Sequence, residues 1–61
     1  MVELTEKEVF IIDELLKNEQ MLVKKYRLYA QNCSDASVSE LCNNAADIHL
    51  KHFNTVISYL K

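Results

Sequence analysis

The 61-residue chain contains no glycine and no proline. A β-rich fold of this length would need several tight turns, and those two residues supply the backbone angles that such turns require. The sequence therefore predicts an all-α protein that is helical almost throughout. A chain this short forms one domain at most, because it is close to the size at which the apolar surface buried barely offsets the entropy lost on folding.

The first helix is predicted from a capping motif and an apolar repeat. Thr5 followed three residues later by Glu8 is a capping box, and Leu4 with Val9 is the matching hydrophobic staple, so the helix should start at about Glu6. Apolar residues then recur with helical spacing at Val9, Ile12, Leu15, Leu16, Leu22, Val23, Tyr26, Ala30 and Cys33. Glu19 is the one interruption, and it falls close to the middle of the stripe.

The second helix follows the only stretch that is dense in turn and capping residues, residues 32–37. Asp35 is the first choice for its N-cap, with Ser37 and Glu40 as a second capping box two residues later. The prediction is a single domain over residues 1–61, with helix 1 at about 6–32, a turn at about 33–35 and helix 2 at about 36–60. Asp47 and Lys51 are spaced for an i, i+4 ion pair on the polar face of helix 2. Its apolar face carries Val38, Leu41, Cys42, Ala45, Ile48, Phe53, Val56, Tyr59 and Leu60, with His49 and His52 among them.

Two helices joined by so short a turn lie antiparallel as neighbours. Each apolar stripe is too wide to be covered by one partner helix, and 49% of the residues are hydrophobic. Both features favour self-association, and a two-fold dimer is the commonest symmetric route to a closed core. The sequence therefore predicts an antiparallel hairpin that dimerises into a four-helix bundle. A separate row of Phe10, Met21 and Leu28 points to the outside, either as scattered surface residues or as a further contact with another subunit or partner.

The candidate site lies where three ionisable side chains of the two apolar stripes converge. In a hairpin with this turn, residue i of helix 1 faces a residue near 70 − i of helix 2, so Glu19 should face the level between His49 and His52. A carboxylate in an apolar core needs a partner. Three interpretations stay open: a metal-free hydrogen-bonded layer, a site for Zn, Fe or Mn, or partly exposed side chains with no special role.

Catalysis is not predicted. Ferritin-like di-iron centres use a Glu on one helix and Glu-x-x-His on the next, whereas this chain has Glu19 with His49-x-x-His52. The missing second carboxylate leaves too few bridging ligands for di-iron oxidase or peroxidase chemistry. The sequence also has no Gly-rich phosphate loop, no nucleophile elbow and no CxxC pair.

Charge and hydropathy exclude several further classes of protein. Seven basic and nine acidic side chains give a net charge of −2, which provides no attraction to nucleic acid or an anionic membrane. The acidic segment Met1 to Glu8 does not resemble a signal peptide, and no apolar run is long enough to span a membrane, so we expect cytoplasmic synthesis. Cys33 and Cys42 should lie roughly two helical turns apart, too far for a disulfide.

Several segments also occur in a recognisable order. They are Leu4-Thr5-Glu6-Lys7-Glu8, Lys25-Tyr26-Arg27-Leu28-Tyr29-Ala30, Cys33-Ser34-Asp35, His49-x-x-His52-Phe53 and Tyr59-Leu60. Together they resemble small spore coat proteins of the coat protein F type from endospore-forming bacteria, over nearly the whole chain. The resemblance implies a helical, ferritin-like structural component of the spore coat, formed in sporulation, without established enzymatic activity and with other coat proteins as partners. Longer members contain two such hairpins. The resemblance would put Glu19, His49 and His52 at ferritin-like ligand positions, with the departure described above.

Two functions are therefore expected. The first is a structural, self-associating helical protein of the spore-coat type. The alternative is a four-helix bundle that binds a transition metal through Glu19, His49 and His52.

Overall fold

The computed structural model describes residues 4–60 and contains two helices joined by a short turn. Helix α1 is Glu6–Asn32 and helix α2 is Ala36–Ser58, and residues 4–60 contain no strand. Tyr59 and Leu60 form a final turn, so α2 ends two residues before the predicted position. The all-α prediction is confirmed for this range. The ends of the predicted domain, residues 1–3 and 61, lie outside it, and so does the start of the acidic N-terminal segment.

Both helices begin at the caps that the sequence predicts. The Thr5 hydroxyl accepts a hydrogen bond from the Glu8 amide at 3.1 Å, and the Glu8 carboxylate accepts one from the Thr5 amide at 3.0 Å. These are the two halves of a capping box. Asp35 caps α2, because its carboxylate accepts hydrogen bonds from the amides of Ser37 and Val38 at 2.9 and 3.1 Å. Four amides at each helix start have no partner within the helix, so these side chains satisfy groups that only water would otherwise reach.

The cap at Asp35 should make stability sensitive to acid. Hydrogen bonds from the Ser37 hydroxyl, and then from the Val38 and Ser37 amides, hold the pKa of Asp35 below its usual value. The cap therefore stabilises the fold above the unfolded-state pKa of about 3.9 and loses this effect as the pH falls through the lowered folded-state pKa. We expect Asp35→Ala to lower the melting temperature at neutral pH, and the gap to wild type to narrow on acidification.

Ser34→Ala is the matched control for this experiment, since Ser34 is an adjacent exposed side chain that does not titrate. The difference in melting temperature between Ser34→Ala and wild type should not depend on pH in the acid range. A gap for Asp35→Ala that stayed constant from neutral pH to about pH 2 would contradict the assigned role of the carboxylate.

The side chains that the two helices bury are small. Ala30 is 7% exposed and Ala46 is fully buried, and these are the buried residues of the described range. Near the turn, the Ser39 hydroxyl donates to the carbonyl of Ala30 at 2.8 Å. Arg27 donates to the side-chain and main-chain oxygens of Asn43 at 3.0 and 3.3 Å. These pairs confirm the predicted register, in which the numbers of facing residues add up to about 70.

Arg27 also overturns one detail of the sequence prediction. Its guanidinium donates to the Asp47 carboxylate at 2.6 Å, so Asp47 pairs across the helices instead of with Lys51 on its own helix. A guanidinium presents five N–H groups in a planar fork, which allows one side chain to bond Asn43 and Asp47 together. This contact lies on one broad side of the hairpin, which also carries a groove of about 180 Å³ lined by Gln20, Val23, Lys24, Leu50 and Phe53.

The opposite side of the hairpin is apolar and uncovered, and we call it the open face. Ile11 and Leu15 from α1 and Val56 and Tyr59 from α2 line a groove of about 320 Å³ there. Helical spacing places more apolar side chains beside this groove. The apolar residues of the open face that are more than 40% exposed are Ile11, Leu15, Tyr29, Val38, Leu41, Ile48 and Tyr59. One neighbouring helix covers only the strip that faces it, so each apolar stripe is wider than a single partner helix covers, as the sequence predicts.

The remaining sequence predictions concern the outer surface and the cysteines. Phe10, Met21 and Leu28 are 63, 59 and 55% exposed, as the row on the outside of α1 should be. Cys33 and Cys42 are half-buried free thiols, which confirms that they form no disulfide with each other. Neither α1 nor α2 has the length and hydrophobicity that a bilayer-spanning helix requires.

Candidate functional site

The two helices bring Glu19, His49 and His52 together at the middle of the hairpin. Glu19 is the central residue of α1, and the two histidines lie one helical turn apart on α2. The Glu19 Oε2 atom lies 2.9 Å from Nδ1 of His49 and 3.4 Å from Nδ1 of His52. A single oxygen of the Glu19 carboxylate therefore faces the Nδ1 atom of each histidine. The convergence predicted from the register is present, and we call these three side chains the Glu-His-His layer.

The layer is open to one side. The side chains of Glu19 and His49 are 18% and 24% exposed, whereas that of His52 is 57% exposed. The His52 side chain is thus more exposed than its position on the apolar face of helix 2 suggested. A carboxylate accepts hydrogen bonds and does not donate them, so the 2.9 Å contact requires a proton on Nδ1 of His49. This bond offsets part of the cost of removing the Glu19 carboxylate from water.

Ring-to-ring contacts hold the side chains of the layer in place. The Tyr26 ring lies nearly parallel to the His49 ring, with 5.7 Å between centroids and 10° between planes. Tyr29 packs edge-on against Tyr26 at 6.2 Å, and His52 edge-on against His49 at 5.5 Å. Stacking on Tyr26 and hydrogen bonding to Glu19 together hold the His49 ring in one orientation.

The sequence prediction placed Tyr26 in the apolar stripe but missed its contact with His49. Side chains on a helix lean toward its N-terminus, so those on antiparallel helices lean in opposite directions along the hairpin. Tyr26 leans toward the level of His49, and His49 leans toward the level of Tyr26. Correcting the register for this lean would have identified the pair from the sequence.

The Glu-His-His layer has the composition of a transition-metal site. One ligand atom from each of the three side chains can be chosen so that all lie within 4.8 Å of one another. Two imidazole nitrogens and a carboxylate oxygen suit zinc and similar first-row divalent ions, whereas magnesium and calcium prefer sites made of oxygen atoms. The same geometry also serves as a metal-free hydrogen-bonded layer, so the distances are compatible with both of these interpretations.

Comparisons with known proteins identify no relative of this chain. Protein-family models, curated protein sequences and solved structures all give no match to the chain. The resemblance to coat protein F stays a prediction, and function has to be inferred from the chemistry of the hairpin itself.

Proposed function

We propose that this chain is a structural, self-associating protein whose two copies pair open face to open face in a ferritin-like four-helix bundle. The observation that carries the proposal is the contrast between core and surface. Within residues 4–60 the buried residues are Ala30 and Ala46, whereas large apolar side chains such as Leu41 and Ile48 are 67% and 52% exposed. A core this small does not offset the entropy of ordering two long helices, and pairing would complete it.

The amount of exposed surface supports pairing with a second copy of the chain. The accessible surface is 4908 Å², whereas a globular protein of 7.1 kDa is expected to expose about 4,100 Å². The excess of about 800 Å² equals the area that one partner buries in a standard protein interface. The radius of gyration of 14.4 Å also exceeds the roughly 10.5 Å expected for a compact chain of this length.

The shape and charge of the hairpin favour an identical partner. The Cα atoms span 47 by 16 by 10 Å, so the hairpin is a flat slab with two broad sides. One side carries the polar contacts of Arg27 with Asn43 and Asp47 beside the smaller groove at Leu50 and Phe53, and the other is the open face with its larger groove. A two-fold axis brings the same patch of both copies together, and an apolar patch is self-complementary in a way that a patch of one charge is not.

The role proposed for this assembly is structural and not catalytic. Its resemblance to small spore coat proteins supports a coat component that is synthesised in the cytoplasm and assembles with other coat proteins. The exposed outer row of Phe10, Met21 and Leu28 would then be available for contacts between dimers or with such partners.

Thermal unfolding at several protein concentrations tests the self-association. Folding that requires two chains is stabilised by mass action, and a tenfold rise in concentration is worth about 1.4 kcal/mol per dimer. The melting temperature should therefore rise by a few degrees for each tenfold increase in concentration. A melting temperature that is independent of concentration would contradict the proposal.

A second candidate function is transition-metal binding by Glu19, His49 and His52. The observation that favours it is the convergence of two imidazoles and a carboxylate from separate helices at the middle of the hairpin. Zinc is the first choice among Zn, Fe and Mn, because two of the three ligands are nitrogens and the set lacks the second carboxylate of di-iron sites.

A further inference from the structure

The Glu-His-His layer occupies a special height in the hairpin. Glu19 is the central residue of α1, so equal lengths of helix lie on either side of it. Two hairpins that overlap along their full length can pair in the same or in opposite directions. Both arrangements bring the middle of one α1 to the middle of the other. The Glu-His-His layers of the two copies therefore lie at the same height along the bundle in either dimer.

The layer also lies on the side of the hairpin that is left open. His52 is its most exposed member, and the aromatic chain runs from Tyr29 through Tyr26 to His49, with Tyr29 itself 49% exposed on the open face. Pairing through the open face would cover these groups and place two carboxylates and four imidazoles near one another.

One oxygen of the carboxylate remains available for a second chain. Oε2 of Glu19 makes the contacts to both histidines, and Oε1 has no hydrogen-bond partner among residues 4–60. Zinc is bound tetrahedrally in most sites, so the three ligands of one chain leave one position to fill. A carboxylate can give one oxygen to each of two ions.

We propose that each chain of the dimer binds one divalent zinc-class ion through Glu19, His49 and His52, and that Glu19 of the facing copy completes the coordination. The metal centre is then shared between the copies, so the ion binds the dimer more tightly than the monomer. By linkage, the ion must strengthen dimerisation by the same factor. This inference rests on the proposed self-association, and it adds a chemical signal that promotes it.

The test measures zinc binding and dimerisation on the same 61-residue protein, purified without an affinity tag. Titration with zinc chloride should reach one ion per chain, and the Kd for dimerisation from sedimentation should be about tenfold or more lower with zinc than with EDTA. Cobalt(II) as a substitute should give the strong visible absorption of tetrahedral coordination.

Three conservative variants separate ligand loss from misfolding. Glu19→Gln keeps an oxygen acceptor for the His49 ring, and His52→Gln changes a side chain whose ion-pair contact with Glu19 is 3.4 Å long. Each should weaken zinc binding roughly 100-fold or more and remove the difference between zinc and EDTA in dimerisation. Lys51→Gln, next to His52 but exposed on the other face of α2, should leave both measurements unchanged.

The outcomes distinguish the inference from the proposed function. A dimer that persists in EDTA and binds no zinc would overturn the shared metal centre while leaving self-association intact. Zinc bound with no change in the dimerisation Kd would overturn the sharing between copies. Zinc bound to a chain that stays monomeric in both conditions would overturn both the inference and the proposed self-association.

Discussion

Leu15→Gln is expected to weaken dimerisation about a thousandfold. Leu15 is 46% exposed in the single hairpin, so roughly half of its side chain remains to be buried when the open face is covered. Gln loses about 1 kcal/mol of apolar burial and adds about 1 kcal/mol for an amide removed from water. A two-fold dimer contains two copies, so the total is about 4 kcal/mol, which corresponds to about 10³ in Kd. Sedimentation equilibrium of the variant measures the change.

Leu28→Gln is the matched control for this prediction. It is the same substitution on the same helix, and Leu28 has a similar exposure of 55%, but it lies in the outer row with Phe10 and Met21. Leu and Gln have similar helix propensities, so neither variant should differ in the intrinsic stability of α1. Leu28→Gln should leave the dimerisation Kd within about twofold of wild type. Equal effects of the two variants would show that the open face is not the interface.

Ala46→Leu is expected to lower the free energy of unfolding by about 2 kcal/mol per chain. Ala46 is fully buried where α2 approaches α1, and no room exists for three additional carbon atoms unless the helices move apart. Moving them apart would also lengthen the hydrogen bond from Ser39 to Ala30 and the contacts of Arg27. Denaturant unfolding at a fixed protein concentration measures the loss.

Ala36→Leu serves as the control for overpacking, because Ala36 is the exposed first residue of α2. The same change in side chain should alter the free energy of unfolding by less than about 0.5 kcal/mol there. An Ala46→Leu protein as stable as wild type would contradict the close packing of the helices at this position.

Local interactions made the starts of the helices predictable from the sequence. The capping box at Thr5 and Glu8 and the N-cap at Asp35 involve residues two or three positions apart, so their geometry follows from the helix itself. The turn then set the register, and the register brought Glu19 to the level of His49 and His52. Each of these steps depends on sequence spacing alone.

Contacts that depend on the reach of long side chains were not predictable in the same way. Arg27 bonds Asp47 across the hairpin, although Lys51 has the ideal spacing along α2. Tyr26 reaches His49 because side chains lean along the helix axis. The width of the apolar stripe indicated more than one neighbour, but the sequence did not indicate which part α2 covers and which part remains open.

Sedimentation equilibrium of the wild-type protein, measured from low micromolar to high micromolar concentration, tests the central claim most directly. Pairing through the open face predicts a mass of twice the 7.1 kDa of one chain at the higher concentrations. A folded helical protein with a mass of 7.1 kDa over the whole range would contradict the proposed four-helix bundle.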